Sequence, residues 1–407
     1  MSQNNFYVQN SRWLLITTLL YFSSSFGQTF FIAIFAGAIR EEFAISHTIW
    51  GTIYAIGTLS SAVLMFKFGG FADKKEPRRL GSIIIICLAV SCVGMMLVQH
   101  AWVLPLLIFG LRFFGQGFAS HLSIVLCGRW FHKNRGRTVA VTSLGFAFGE
   151  ALLPLIFVSI MGWIGWRYSW GIAALLLLLV ALLFRILLNN ERTPKSAIDN
   201  INSENITGLY GKHWTKSEVL MSWISWPMLI AIMAQSMFGT IFFFQQVTLG
   251  IEKGWEINQF AILVPVYTVV GIISTFIAGF LIDKFGVRRL IPFYLIPGML
   301  GFLFGSFLND PIVSSLTFAL LGMTTGLSNS FSGTFWPEFF GTKHLGDVRA
   351  VATSSMVIAS ALGPLFSGFL LDLNISLSVQ FQLMALIMSI CTVGLGIISL
   401  KTKSDIS

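Results

Sequence analysis

The sequence predicts an all-α membrane protein: twelve transmembrane helices arranged as two pseudo-symmetric six-helix bundles. Three observations carry this. Hydrophobic residues fill 55% of the 407 positions and charged residues only 11%, too little polar surface to cover a water-soluble globule of this size. The apolar runs reach about 20 residues or more, the length a helix needs to cross about 30 Å of hydrocarbon at 1.5 Å per residue. A barrel would need short segments of alternating polarity, and the run from Gly171 to Phe184 does not alternate. Finally, the chain repeats itself. Gly69-Gly70-Phe71-Ala72-Asp73-Lys74-Lys75-Glu76-Pro77-Arg78-Arg79-Leu80 returns about 210 positions later as Gly279-Phe280-Leu281-Ile282-Asp283-Lys284-Phe285-Gly286-Val287-Arg288-Arg289-Leu290. At the same offset Pro154 meets Pro364.

In order, a short polar head, Met1 to Ser11, precedes a first span from about Trp13 to Ala38, too long to be a removable signal peptide. Further spans are expected near 47–68, 79–98, 102–127, 137–160 and 165–188. A second set is expected near 224–249, 259–282, 289–308, 312–336, 348–370 and 376–400. The domains are therefore 1–188, a bundle; 189–222, a solvated cytoplasmic linker rich in Asn, Ser, Thr, Lys and Glu; and 223–407, a second bundle. Small residues in the spans, such as Gly110, Gly115, Gly117, Gly145 and Gly149, let helices approach closely.

Lys and Arg set the orientation. With both termini cytoplasmic, that side collects about 22 of the 26, and the opposite side keeps Arg40, Arg167 and Lys253. This asymmetry accounts for the net charge of +9 without a nucleic-acid partner, since the cations are scattered over separate short loops. Cys87, Cys92, Cys127 and Cys391 fall inside spans without metal-ligand spacing and read as packing residues. No metal and no cofactor are expected.

The rare charges deep in the spans are the candidate site. Arg112 lies about 17 residues from Arg129, roughly 25 Å along its helix, and Glu150 about 13 residues past Arg137, roughly 20 Å along the next. A charge at a span centre costs roughly 2.5–3.5 kcal/mol on insertion scales, so it is usually paired, hydrated or functional. In one reading Arg112 attracts a substrate carboxylate while Glu150 exchanges a proton. In the other, Arg112 and Glu150 form a permanent ion pair that holds two helices.

Six plus six helices, with Gly-x-x-x-Asp-Lys and a following Arg-Arg pair after the second helix of each half, resemble the major facilitator superfamily of secondary transporters. The resemblance covers nearly the whole chain. It implies a substrate site between the halves near the midplane and alternating access by rocking. It also implies that Asp73 and Arg78, with Asp283 and Arg288, form cytoplasmic latches. Glu76 and Pro77 depart from the family pattern, whereas Gly286 keeps it. Arg112 with the small residues after it resembles the family's fourth-helix motif, often associated with proton coupling. Arg129-Trp130-Phe131 before Arg135-Gly136-Arg137 is similar to monocarboxylate and oxalate-formate type carriers. Because helices 1, 4, 7 and 10 line the cavity in this family, Gln28, His121, Gln245, Gln246 and Asn329 join Tyr267 of the eighth helix as candidate binding residues.

The expected function is a proton-coupled secondary transporter of a small organic solute, a monocarboxylate-like anion first. A neutral planar solute such as a vitamin, or export of amphiphiles, is the alternative, and a non-transporting receptor or scaffold is the alternative of another class. An enzyme is not expected, because no Gly-rich phosphate loop, metal-ligand cluster or Ser-His-Asp constellation appears. The chain is expected to act as a monomer in the cytoplasmic (inner) membrane, with protons, its solute and the bilayer as partners.

Overall fold

The computed structural model describes residues 3–69, 71–131, 135–189, 207–341 and 343–402, and among them every regular element is a helix. Lipid offers backbone groups no hydrogen bonds, so each span must satisfy its own. The chain divides into two compact units, Met1–Ile201 and Asn202–Ser407.

Ten described helices are long and apolar enough to cross a membrane, and a pair bent by 48°, Phe6–Gly27 with Thr29–Phe43, makes an eleventh. The longest helix, Arg135–Leu187, contains Gly165 at φ 79° and ψ 166°, which no helix turn accommodates. It is two spans joined at that glycine, which brings the total to the expected twelve. In the first unit α1 is the bent pair, Gln3–Ser24 resuming at Thr29–Ile32 and Ala36–Phe43. It is followed by α2 (His47–Phe68), α3 (Pro77–Leu97), α4 (Ala101–Trp130), α5 (135–164) and α6 (166–187). The second unit holds α7 (Ser225–Phe244), α8 (Ile257–Phe285), α9 (Val287–Phe307) and α10 (Pro311–Phe340), then α11 (Leu345–Asp372) and α12 (Leu377–Lys401).

Local chemistry sets the ends. Ser46 caps α2 by accepting from the Ile49 amide, and Asp310 caps α10 ahead of Pro311. In the first unit Phe31 packs against Phe26, Phe35, Phe157 and Trp170. In the second, Phe242 meets Phe260, Phe302, Phe318 and Phe381. The Phe242-Phe243-Phe244 run is thus mostly core.

The duplication extends to individual contacts. Glu42, at the end of α1, accepts from Trp166 Nε1 at 2.7 Å and pairs with Arg167 at 2.5 Å at the start of α6. Arg167 in turn donates to the Met96 carbonyl at the end of α3, at 3.1 Å. Glu252, 210 positions after Glu42, accepts from the Leu377 and Ser378 amides at the start of α12, at 2.7 and 2.9 Å. Lys253 then donates to the Ser306 carbonyl near the end of α9, at 3.3 Å. Two of the three cations expected opposite the linker are therefore committed to matching clasps.

The last part of the segment expected as a solvated linker is folded. Residues 190–206 lie outside the described residues. Residues 207–222 are folded onto the second unit: the Trp214 amide donates to the Phe340 carbonyl at 3.0 Å, its ring packs on Phe340, and Leu209 and Val219 are buried. Polar composition concealed a few well-placed apolar residues. Within this segment Thr215 and Glu218 form a capping box that starts the helix Lys216–Met221. The Lys212 ammonium, then the Thr215 amide, hold the Glu218 carboxyl at about 2 against an ordinary 4.5. A depressed carboxyl stabilises above its unfolded value and loses that contribution as pH falls through its folded value. Pepsin cleavage within 207–222, normalised to a reference peptide, should accelerate as pH drops from about 4.5 toward about 2. In Glu218→Gln it should already be fast at the upper end, and identical profiles for the two proteins would contradict the assignment.

Candidate functional site

The site is built on the break in α1. Ser23 and Ser24 turn their hydroxyls back onto the Leu19 and Tyr21 carbonyls, at 2.8 and 2.6 Å, competing with the helical ladder. The helix tightens over Ser25–Gly27, Gln28 becomes extended at φ −87° and ψ 155°, and Thr29 restarts it. Helix breaks at membrane depth persist only where protein or water satisfies the freed backbone groups. Here Arg112 does so: its Nη1 donates to the Gly27 carbonyl at 3.2 Å and to Thr29 Oγ1 at 3.4 Å.

Arg112 reaches the break because α4 is locally unusual. Leu111–Ala119 is wound as a π-helix, a form often found at functional sites. Gly27 and Gly115 allow near contact of the two backbones: a β-carbon on Gly27 would lie 2.1 Å from the Leu111 carbonyl oxygen and 2.8 Å from the Gly115 Cα. The guanidinium is 1% exposed and sits 5.2 Å from the centre of the Tyr54 ring, whose hydroxyl bonds Thr29. Every partner is neutral, and Arg112 Nε has none. Among the described residues Arg112 makes no ion pair, so a permanent Arg112–Glu150 bridge is not what holds it.

Glu150 nevertheless borders the same break. Gly149 packs so closely on Ser25 that a β-carbon would lie 2.0 Å from its hydroxyl oxygen. Glu150 itself is half-buried and within electrostatic reach of Tyr21. The first unit therefore gathers Gln28, Arg112 and Glu150 around one interruption, together with Thr29 and Tyr54, which sequence reasoning missed. His121 is exposed, on the far side of the π segment near Gly69.

The second unit breaks α7 at Gln245, the position 210 after Phe35, where the first helix resumes at Ala36. Gln245 is 4% exposed; its Oε1 accepts from Thr248 and its Nε2 has no partner. Gln246 is buried beside it. Tyr267 sets its ring edge-on to Phe243 and bonds Thr325 at 2.8 Å. Asn329, one turn further along α10, is exposed.

The loops after α2 and α8 carry the expected latch residues. The Asp73 side chain lies outside the described residues. Arg129, at the end of α4, holds that loop by donating to the Ala72 and Lys75 carbonyls at 3.1 Å, while Arg78 Nε has no partner. In the second unit Asp283 is exposed, and Arg288 lies by Glu338, which accepts from the Val287 amide. Among the described residues no cluster of His, Cys, Asp or Glu could hold a metal.

The chain matches the family model described as Major Facilitator Superfamily over residues 17–257 and 228–405. It is 24% identical over 391 residues to the putative niacin/nicotinamide transporter NiaP of Bacillus subtilis, covering 90% of each chain. It is also 24% identical over 304 residues to the uncharacterized MFS-type transporter YfkF of the same organism, covering 71% of this chain and 70% of that one. Among solved structures it superposes on a bacterial homolog of the human lysosomal transporter Spinster, inward-facing and unoccupied. The TM-score is 0.70 and the identity 16%, over 97% of this chain and 96% of that one. The nucleoside transporter NupG gives 0.71 and 13%, over 96% of this chain and all of the other.

Proposed function

Since this chain belongs to the major facilitator superfamily, and is thus a multi-pass membrane transporter of small solutes, we propose that it carries a small monocarboxylate-like organic anion with a proton by alternating access. The carrying observation is Arg112, a buried cation whose described partners are all neutral. A buried charge without a counter-charge is strongly attractive to an anion that can reach it. The substrate carboxylate completes the guanidinium's hydrogen bonds, and Glu150, on the other side of the α1 break, takes up and releases the proton. Gln28 on the first unit, with Gln245, Gln246, Tyr267 and Asn329 on the second, supply neutral contacts to the rest of the solute. The loop residues Arg78, Asp283 and Arg288 gate the cytoplasmic side, with both termini in the cytoplasm and the chain monomeric in the inner membrane.

The name of the relative NiaP supports a planar pyridine carboxylate as the first substrate to try. Its neutral amide, which that name also includes, represents the second reading. The test is uptake of labelled nicotinate by vesicles containing the purified chain, driven by an imposed pH step that is acidic outside. The wild type should accumulate nicotinate above equilibrium. Glu150→Gln should lose the pH-driven accumulation while keeping exchange of nicotinate across the membrane. Equal accumulation by both proteins would remove Glu150 from proton coupling.

A further inference from the structure

Residues 207–226 carry a surface outside the proposed solute site. Their inner face is packed against the second unit: Leu209 and Val219 are buried, Trp214 bonds the Phe340 carbonyl and sets its ring edge-on to Phe340, and Gly208 passes so close that a β-carbon would lie 2.5 Å from the Phe339 carbonyl oxygen. Their outer face is apolar and uncovered. Met221 is 87% exposed, and Leu220, Trp223 and Trp226 are exposed beside it. Between them Tyr210, Lys212, Trp214, Met221 and Trp223 line an open cavity of about 360 Å³.

Three features identify what covers this face. First, Trp226 is the second residue of the span α7, and its Nε1 donates to the Leu220 carbonyl at 3.0 Å. The short helix thus rests on the first turn of a membrane span, at headgroup depth. Second, exposed tryptophans with a methionine and a leucine match the interfacial zone, where indole rings keep one edge in water and one in hydrocarbon. Third, among the described residues the charges on and beside this face are Lys212, Lys216 and Lys401 against Glu218, a net of two positive, and Lys212 is already paired with Glu218 at 2.5 Å. Lys401 lies 5.3 Å over the Trp223 ring, at the rim of the cavity, and Lys216 is exposed.

We propose that this face is a docking site for anionic phospholipid, with a headgroup phosphate held by Lys216 and Lys401 and the glycerol region resting on Met221 and the tryptophan rings. The linker between the two units is thereby fixed to the bilayer surface at its second-unit end, so that it acts as an anchored hinge rather than a free tether. The proposal is independent of the substrate.

The test places a spin label on Met221→Cys in the full chain, with the unsubstituted chain treated identically as a control for the native cysteines. The labelled protein goes into phosphatidylcholine vesicles with and without phosphatidylglycerol, and label accessibility to oxygen is compared with that to a water-soluble nickel complex. Phosphatidylglycerol should make the label oxygen-accessible and shield it from nickel. Lys216→Gln and Lys401→Gln should each weaken retention of phosphatidylglycerol by the purified chain about fivefold, the worth of one cation near such a surface. A label equally accessible to nickel in both vesicles would overturn the proposal. So would shielding that is independent of phosphatidylglycerol and of both lysines, since that would mean apolar seating without headgroup recognition.

Discussion

Arg112→Gln is expected to lower the uptake of an organic monocarboxylate by about ten- to a hundredfold, since a hydrogen bond to a charged group contributes about 1.5–3 kcal/mol and each 1.4 kcal/mol is a factor of ten. The same substitution should leave thermal stability nearly unchanged, because the desolvation penalty it relieves offsets the loss of the bonds to the Gly27 carbonyl and Thr29. A guanidinium that is 1% exposed with only neutral partners gives up hydration without a compensating ion pair, so a neutral side chain there relieves a desolvation penalty. A residue serving only to brace α1 against α4 would show the opposite, with stability falling alongside transport. Initial uptake rates and the unfolding temperature of the purified protein decide between the two. Arg112→Lys should recover part of the uptake, because it keeps the charge but loses the planar fork that suits a carboxylate.

The second large effect belongs to Gly27→Ala. Its new methyl group would meet backbone rather than a movable side chain: the Leu111 carbonyl at 2.1 Å, the Gly115 Cα at 2.8 Å and the Gln116 amide nitrogen at 2.9 Å. Overpacking of this kind costs typically about 1–3 kcal/mol, and more where backbone cannot yield. Pushing α1 away from α4 also withdraws the Gly27 carbonyl from Arg112. Both stability and transport should therefore fall together, which separates this variant from Arg112→Gln. A Gly27→Ala protein that unfolds at the wild-type temperature and transports at the wild-type rate would show that the close approach of the two helices does not shape the site.

The helices were legible because lipid imposes a length and a hydropathy that a sequence cannot disguise. The duplication was legible because Gly69 to Leu80 and Gly279 to Leu290 kept their polar loop residues. The site was legible in part. A charge inside an apolar run announces itself, so Arg112 and Glu150 stood out at once. Their surroundings did not, because Thr29 meets Arg112 across 83 positions and Tyr54 meets it from another helix, and nothing local in either residue points to that meeting. The break in α1 had a signal, three successive serines followed within two residues by Gly27, which was absorbed into a continuous span. Arg129 was overlooked as the holder of the loop after α2 because its targets are backbone carbonyls, which no side-chain motif encodes. Similarly, the linker's polar composition hid Leu209, Val219 and Trp214, three residues whose packing on the second unit outweighs the average around them.

The central claim is that the guanidinium at the α1 break receives a substrate carboxylate. Equilibrium binding of nicotinate and of nicotinamide to the purified wild type and to Arg112→Gln, by titration calorimetry at one pH, tests it most directly. The two ligands share a ring and differ in the group that Arg112 would hold. The wild type should bind the acid more tightly than the amide by about tenfold or more, the worth of a charge-assisted hydrogen bond, and in Arg112→Gln that preference should vanish through loss of acid binding. A preference for the acid that survives intact in Arg112→Gln would place the carboxylate elsewhere and contradict the account.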